Sequence, residues 1–345
     1  MRLQSKRCAR VWHIAARHGS PRCYLNGRDA GVNVGRGERY VYIDYRLETP
    51  VNAAKLGLLA ALVVVNVAFV LAWVRDARRR KVRPAPTLPD IAIGFVTDFL
   101  DALGIGSFAP TTALFKFRGT PPDELIPGTL NVGHNAAAFV ETAVLVTAVA
   151  VEPVLLIAMV ASATIGAWLG AGIVSRLPRR AIQIFMGVAL LTAAIFFLMA
   201  SLNADPVGGT AMGLEGWRFG LAVGVNFVLG ALMSVGIGPY APSMVLLALL
   251  GLHPLGAFPI MMGTCGIVQP VASLRFFKTG RFAFGPALGL TIGGTVGVLI
   301  AIFIVRQLPI VALRWLVIFV VTYAAVSMLR SAYRERPGAL VTPAT

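Results

Sequence analysis

Long apolar runs constrain the fold of this chain more than any other feature of its sequence. From Leu56 to the end, runs of about 20 residues with almost no charge recur, and each can cross a hydrocarbon core of roughly 30 Å. Charged residues make up 13% of the chain, whereas an ordinary soluble domain has about 25%. The sequence therefore predicts an all-α polytopic membrane protein.

The N-terminal segment is of a different kind. Residues 1–55 are polar and basic, lack the apolar segment of a signal peptide, and contain no methionine after Met1. We interpret them as a basic N-terminal tail, with the hypothesis that translation begins near Val41 or Val51. Residues 56–74 follow as one extra transmembrane helix ahead of the rest.

The net charge of +16 has a topological explanation. Most basic residues stand in short blocks beside apolar runs, so the sequence predicts a bilayer environment and no nucleic-acid partner. Cys8, His13, His18 and Cys23 are spaced five apart, unlike known zinc motifs, and three cysteines give no disulfide framework. Neither a metal nor a cofactor is predicted.

The second half of the chain repeats the first. Residues 103–114 read LGIGSFAPTTAL and residues 235–246 read VGIGPYAPSMVL, so one pattern of glycine, aromatic, alanine, proline and hydroxyl residues returns 132 positions later. Further glycines and prolines agree with the same offset, which indicates an internal duplication. The predicted repeats are residues 90–201 and 219–331.

Each repeat begins with a run that one straight helix cannot fill. A helix over residues 219–250 would be about 48 Å long, more than one membrane span. The glycines break the run, and Pro110 and Pro242 fall where a new helix would begin. The sequence predicts a re-entrant hairpin and three spans per repeat, near 128–150, 154–174 and 181–201, and near 257–274, 284–305 and 311–329.

Positive charge favours hairpins over full crossings. With hairpins, 17 of the basic residues after residue 55 lie on the cytoplasmic side and 3 lie outside. If both broken runs crossed, the basic block 176–180 would face outward. Three crossings per repeat make the two copies inverted, and they place the N-terminal tail, with 11 basic residues, outside.

A half-helix whose N-terminus lies at mid-membrane presents unpaired N–H groups and the positive end of its dipole there. Two such N-termini predict a small anion site that needs no charged side chain. The alternative is that the glycines and prolines only kink the helices for packing. The predicted substrate-binding residues are Gly104, Gly106, Ser107, Pro110, Thr111, Gly236, Gly238, Pro239, Pro242 and Ser243.

The duplicated Gly-x-Gly break followed by proline resembles the TauE/SafE sulfite exporter family, also called toluene-sulfonate uptake permeases. The residues that carry the resemblance are Gly104, Gly106, Pro110, Gly236, Gly238 and Pro242, and it extends over roughly residues 90–331. It implies a permease of the bacterial cytoplasmic membrane that exports sulfite or an organosulfonate with a proton or charge gradient. The family has further glycines where this chain has Ser107-Phe108 and Pro239-Tyr240, so aromatic side chains beside the predicted site would narrow it or stack on an aryl group.

Polar residues in the spans predict a proton path in the first repeat, because ionisable groups at membrane depth usually face a cavity or relay. His134 and Glu141 are seven residues apart on one predicted helix face, and Asp98 and Asp101 form a second candidate pair. The alternative is that these acids lie near the cytoplasmic mouth or pair with Lys116 and Arg118. The predicted pore-lining residues are Asn131, Asn135, Thr264 and Gln269.

Glycines at four-residue spacing predict close helix packing, and they are compatible with a homodimer. They are Gly285, Gly289, Gly293 and Gly297, with Gly166 and Gly170 in the first repeat.

Two other functions stay open beside a secondary transporter. A passive anion channel of the same fold would need no titratable relay. An intramembrane enzyme or an assembly subunit is the other alternative, although the sequence shows no catalytic motif such as Gly-x-Ser-x-Gly. The protein is therefore predicted not to be an enzyme.

Overall fold

The computed structural model describes residues 23–25, 28–30, 34–35, 38–39, 53–81, 85–103, 105–148, 151–202, 209, 211–236, 238–303 and 310–334. The chain divides into two units, Met1–Pro50 and Val51–Thr345. In the first unit two antiparallel strand pairs are described, Cys23–Leu25 with Arg28–Ala30 and Val34–Gly35 with Glu38–Arg39. Val41 and Val51, near which translation was hypothesised to begin, lie outside the described residues.

The regular elements described in the second unit are all helical, as predicted. Its helices are α1 (Ala53–Arg80), α2 (Leu88–Ala102), α3 (Phe108–Arg118), α4 (Ile126–Gly133), α5 (Asn135–Ala148), α6 (Pro153–Val174), α7 (Arg179–Ser201), α8 (Gly216–Met233), α9 (Tyr240–Leu249), α10 (Pro254–Thr279), α11 (Phe284–Phe303) and α12 (Ile310–Arg334), with a short 3-10 helix at Asp123–Leu125. Among the described residues, six helices are long and apolar enough to cross a membrane: α1, α6, α7, α8, α10 and α11. This confirms a membrane protein with several apolar helices.

Helix α1 has one side that packs on other helices and one apolar side that is exposed. It begins three residues before the predicted run and continues to Arg80, so its basic last turn extends beyond the apolar part. One side packs on other helices through Leu58, Leu62 and Phe69, all at most 7% exposed. The other side carries large apolar side chains with exposures from 49% to 65%, namely Val63, Val64, Val67, Val70 and Leu71. In a bilayer, lipid would cover this surface.

The helix interruptions fall where the glycine pattern predicted them. Helix α2 begins at a capping box, in which Asp90 accepts hydrogen bonds from the backbone and side chain of Thr87, and it ends before Gly106. Gly106 has φ 89°, and Gly236, between α8 and α9, has φ 105°. Both values lie in the left-handed region that glycine adopts most readily, so the chain can change direction there.

In each broken run, the second helix brings the chain back to the end of the bundle at which the first helix begins. At the end of α3, the Arg118 guanidinium lies 2.5 Å from the Asp90 carboxylate at the start of α2. At the start of α8, Arg218 donates a 3.4 Å hydrogen bond to the carbonyl of Leu250, just beyond α9. The α2–α3 pair and the α8–α9 pair are therefore helical hairpins.

The two hairpins open at opposite ends of the bundle. Arg118 and Asp90 belong to an end where Lys116 binds Asp123, Arg179 binds Glu124, and Lys116 reaches Ser331 of α12. At the same end, Arg80 donates to the carbonyl of Phe277, near the end of α10. We call this the basic end. The opposite end is held by backbone bonds from Glu152 to Met212 and from His253 to Ala211, beside Leu250.

One predicted span is wrong. Residues 128–150 were expected to form a single helix, but the structure has two helices, α4 and α5, interrupted at His134. The backbone N–H of His134 still bonds to Leu130, and its carbonyl accepts from Ala138. The interruption coincides with a close approach, because a side chain at Gly133 would collide with Leu290 of α11.

Small residues allow three helix pairs to pack closely, and each pair joins the two predicted repeats. Helix α2 packs on α11, α6 on α8, and α7 on α12. Gly293 faces the backbone at Ile91 of α2, while Gly166 faces the backbone at Phe227 of α8. The prediction that these glycine faces serve packing agrees with the structure, and the contacts of Gly293 and Gly166 lie within one chain.

Candidate functional site

The two helix interruptions meet inside the bundle. A side chain at Gly238 would lie 3.9 Å from the β-carbon of Phe108, the first residue of α3. Gly236 faces Met186 and Leu130. Phe108 is 3% exposed, and its ring centroid lies 5.6 Å from that of His134. The starts of the second helices of both hairpins therefore lie close together in a buried region.

The first turn of α3 offers two backbone N–H groups. The N–H groups of Phe108 and Ala109 precede the first intrahelical bond, Pro110 has none, and that of Thr111 bonds to the carbonyl of Ser107. In α9 the arrangement is the same, since Pro242 lacks an N–H and Ser243 bonds to Pro239. Such N–H groups and the helix dipole favour an anion.

A hydrogen-bonded chain connects the first hairpin with the interruption at His134. His134 Nδ1 lies 2.7 Å from Asp98 Oδ1, and His134 Nε2 lies 3.0 Å from Thr111 Oγ1. The three residues are 0% to 1% exposed. The sequence paired His134 with Glu141 on one helix face, whereas the structure pairs it with Asp98 of α2. That pairing was not visible because the partners are 36 residues apart on different helices.

The remaining acids lie around this chain. Asp101 accepts a 2.6 Å hydrogen bond from the Ser107 hydroxyl at the start of α3. Glu141 is 2% exposed and interacts electrostatically with Asp101 and Asp98. Asp98 Oδ2 and Glu141 Oε1 are buried without a hydrogen-bond partner among the described residues. Burying an ionised carboxylate is unfavourable unless it is paired, and Asp98 has His134 as its partner.

The structure argues against the alternative pairing of these acids with nearby basic residues. Lys116 binds Asp123, and Arg118 binds Asp90. Asp98 is completely buried and does not line a mouth at the basic end. The acids of α2 therefore have separate roles, since Asp90 closes the hairpin and Asp98 contacts His134.

The predicted pore-lining residues have different hydrogen-bond partners. Asn131 donates to Pro127 within its own helix, while Asn135 donates to Asn66 of α1. Thr264 is 3.5 Å from the amide nitrogen of Asn226, and Gln269 is 2% exposed with an unpartnered Oε1. All four are buried.

Two buried asparagines were missed by the sequence analysis. Asn66 donates to the carbonyl of Gly266 as well as accepting from Asn135, so α1 contributes to the polar interior. Asn226 donates to the carbonyl of Met159 and is 0% exposed. Each is an isolated amide within an apolar helix, and that isolation was the available signal.

The second hairpin supplies a simpler half of the site. Ser243 is 1% exposed and corresponds to Thr111 after the 132-residue offset, while Gly266 corresponds to His134. Pro239 precedes α9 and Pro242 lies in its first turn. Gly104, the remaining predicted substrate residue, lies outside the described residues. In the part of the chain that the structure describes, no cluster of three or more metal-ligating side chains was found.

Comparison with known proteins agrees with the resemblance predicted from the repeated motif. Residues 46–198 match a family model described as Sulfite exporter TauE/SafE. The resemblance to TauE/SafE is thereby confirmed over this range. The match begins before α1 and ends within α7, so it includes the first hairpin and His134 but not the second repeat. No match was found among curated proteins or among solved structures. The TauE/SafE match, together with the apolar helices, indicates a membrane transport protein.

Replacing Gly106 by alanine should weaken transport, whereas Gly238→Ala should not. An alanine at φ 89° is disfavoured by about 1–2 kcal/mol, and the strain would reorient the start of α3. At Gly238, the corresponding position of the second hairpin, a new β-carbon would make only an ordinary contact with Phe108. We expect the KM for the anion to rise about tenfold for Gly106→Ala, measured as flux into liposomes containing equal amounts of protein. Equal effects of both substitutions would contradict this assignment.

Proposed function

We propose that the protein is a secondary transporter for a small anion such as sulfite or an organosulfonate. In this proposal two inverted repeats surround one central site, and transport, with export as the expected direction, is coupled to a proton or charge gradient. The observation that carries it is the meeting of the two helix interruptions, at Phe108 and Gly238, inside a bundle whose hairpins open at opposite ends. The TauE/SafE match of the first half supports the same function.

The helix arrangement supports inverted repeats. Each predicted repeat, at 90–201 and 219–331, contains a hairpin followed by long helices, and each hairpin packs on a helix of the other repeat. The basic end then faces the cytoplasm, since basic residues are concentrated there. A site between two such halves can open to either side in turn, as alternating access requires.

The start of each half-helix supplies donors for an anion. Backbone N–H groups at Phe108 and Ala109 and at Tyr240 and Ala241 need no charged partner in the membrane. The hydroxyls of Thr111 and Ser243 are buried next to them. A sulfite or sulfonate group has three oxygens that can accept hydrogen bonds from such donors.

Proton coupling follows from the charge around this site. Asp101 bonds to Ser107 at the start of α3, so a carboxylate there would repel an anion bound to the same helix end. Proton uptake by Asp98, Asp101, His134 or Glu141 would remove negative charge or add positive charge and favour anion binding. Proton binding and anion binding would therefore be coupled.

An enzymatic alternative has one observation in its favour. Asp98, His134 and Thr111 stand in the order of acid, base and hydroxyl that hydrolases use. However, the backbone N–H of Thr111 bonds to Ser107 within the helix, so it cannot stabilise an oxyanion. Transport uses the free N–H groups of the same turn and explains the paired hairpins, and we favour it.

The proposal is tested by reconstituting the purified protein into liposomes and following labelled sulfite and a small labelled sulfonate, with and without a pH gradient. We expect saturable flux that responds to the gradient. Protein-free liposomes are the control, because protonated sulfite species cross bilayers unaided. Saturable flux that is indifferent to pH would favour a passive channel, and no flux above the control would refute the proposal for both anions.

A further inference from the structure

The Thr111 hydroxyl has a single hydrogen, and His134 determines where it points. Thr111 Oγ1 lies 3.0 Å from His134 Nε2, and Asp98 Oδ1 lies 2.7 Å from His134 Nδ1. An ionised Asp98 can only accept, so a neutral His134 carries its hydrogen on Nδ1. His134 Nε2 is then an acceptor, and the Thr111 hydroxyl donates to it.

A protonated His134 reverses this hydrogen bond. An imidazolium donates from both ring nitrogens, so Thr111 Oγ1 must accept from Nε2. The Thr111 hydrogen is then free to rotate towards another acceptor. The nearest donors of the same helix turn are the N–H groups of Phe108 and Ala109, which already form the proposed anion site.

We propose that His134 couples proton uptake to anion binding by reversing its hydrogen bond with Thr111, which releases the Thr111 hydroxyl to the anion. This inference rests on the proposed function. The hydroxyl is a donor to the anion only while His134 holds the proton, so each increases the affinity for the other.

The hydroxyls of Ser107 and Ser243 are held differently from that of Thr111, so the proposed change of hydrogen-bond direction applies to Thr111. The Ser107 hydroxyl donates to Asp101 and is not available in the same way. In the second hairpin, Ser243 has Gly266 at the position that corresponds to His134, so the histidine that would control its hydroxyl is replaced by glycine there. The protein would therefore have one switch, in the first hairpin.

The groups around His134 on the neighbouring helices are acidic or neutral. Asp98 and Asp101 of α2 interact electrostatically with His134, Glu141 of α5 interacts with both of these acids, and Cys265 of α10 interacts with Asp101 and Glu141. Helix α11 contributes Leu290, which contacts Gly133, and Thr291, whose hydroxyl donates to the Gly133 carbonyl. In the described residues of these helices, Asp98 is the acid bonded directly to the ring.

The first test compares Thr111→Val with Thr111→Ser in the liposome assay at several pH values. The measured quantity is the ratio of the KM of the variant to that of the unaltered protein at the same pH, so changes in the charge of sulfite cancel. For Thr111→Val we expect a ratio near one at high pH and about tenfold at low pH, because the hydroxyl binds the anion only when His134 is protonated. Thr111→Ser should keep the ratio near one throughout. A Thr111→Val ratio that does not change with pH would overturn the inference while leaving saturable transport intact.

The second test does not depend on transport. The purified protein with His13→Gln, His18→Gln and His253→Gln contains His134 as its one histidine, and nitrogen NMR of labelled histidine reports which ring nitrogen carries hydrogen. We expect the Nδ1–H form at high pH, and a shift of the Nε2 signal in Thr111→Val. A neutral Nε2–H form would overturn the inference, whatever the flux assay shows.

Discussion

Asp98→Asn is expected to abolish the accumulation of anion in response to a pH gradient. An imidazolium at His134 would lose its buried carboxylate partner, and removing one partner of such a pair is unfavourable by about 3 kcal/mol or more. The fraction of molecules that take up the proton should fall roughly a hundredfold. The asparagine amide oxygen can still accept from His134 Nδ1, so the neutral site should keep its shape.

The measurement separates coupling from binding. Liposomes loaded with unlabelled anion and placed in labelled anion report exchange, which needs no net proton movement. At saturating anion, where a change in KM does not limit the rate, we expect Asp98→Asn to retain exchange within about threefold while gradient-driven accumulation falls at least tenfold, as an uncoupled carrier should behave. Asp76→Asn is the matched control, because Asp76 binds Arg80 outside the site and is expected to leave both activities unchanged. Normal accumulation by Asp98→Asn would refute proton coupling through this residue.

Gly230→Val is expected to destabilise the whole protein. A β-carbon at Gly230 would lie 2.1 Å from the carbonyl oxygen of Ala163, so α8 and α6 could not keep their present separation. Overpacking of this kind typically costs about 1–3 kcal/mol, and here the obstacle is backbone that cannot rotate away. We expect a large fall in the yield of monodisperse protein and in its Tm.

Gly224→Val provides the comparison on the same helix. A β-carbon at Gly224 would meet nothing within 4 Å, and the residue is exposed on the apolar surface of α8. Both variants remove a glycine from a helix and add a β-branched side chain, so intrinsic helix propensity cancels between them. Tm is measured in detergent by the temperature at which the size-exclusion peak is lost. Equal Tm values would show that the α6–α8 contact does not limit stability.

Much of the fold was predictable because its signals are local. Apolar runs of helical length identified α1, α6, α7 and α11, and the glycine and proline pattern located the interruptions at Gly106 and Gly236. Both kinds of signal depend on what a short segment can do in a bilayer. The contacts that close the hairpins, Asp90 with Arg118 and Arg218 with Leu250, join segments about 30 residues apart and were inferred only indirectly, from charge.

The site was less predictable because its contacts are between helices. The sequence proposed Asp98, His134 and Thr111 separately, but helical periodicity can pair only residues of the same helix, so it joined His134 to Glu141. The end of α4 at His134 has no proline to announce it, and it depends on packing against α11. The role of Asn66 was hidden for the same reason, since its partners are in α5 and α10.

Helices of each repeat pack on helices of the other repeat, and this has a consequence for the synthesis of the chain. Helix α2 leaves the ribosome about 200 residues before α11, which is 10–40 s at about 5–20 residues per second. During that interval Asp98 has no Gly294 backbone to pack on, and Asp101 lies in a hairpin without its covering helix. The first hairpin therefore cannot reach its final packing until most of the chain has been made. Until then, the acids near its tip lie in the membrane without the helix that packs on them, which is energetically unfavourable.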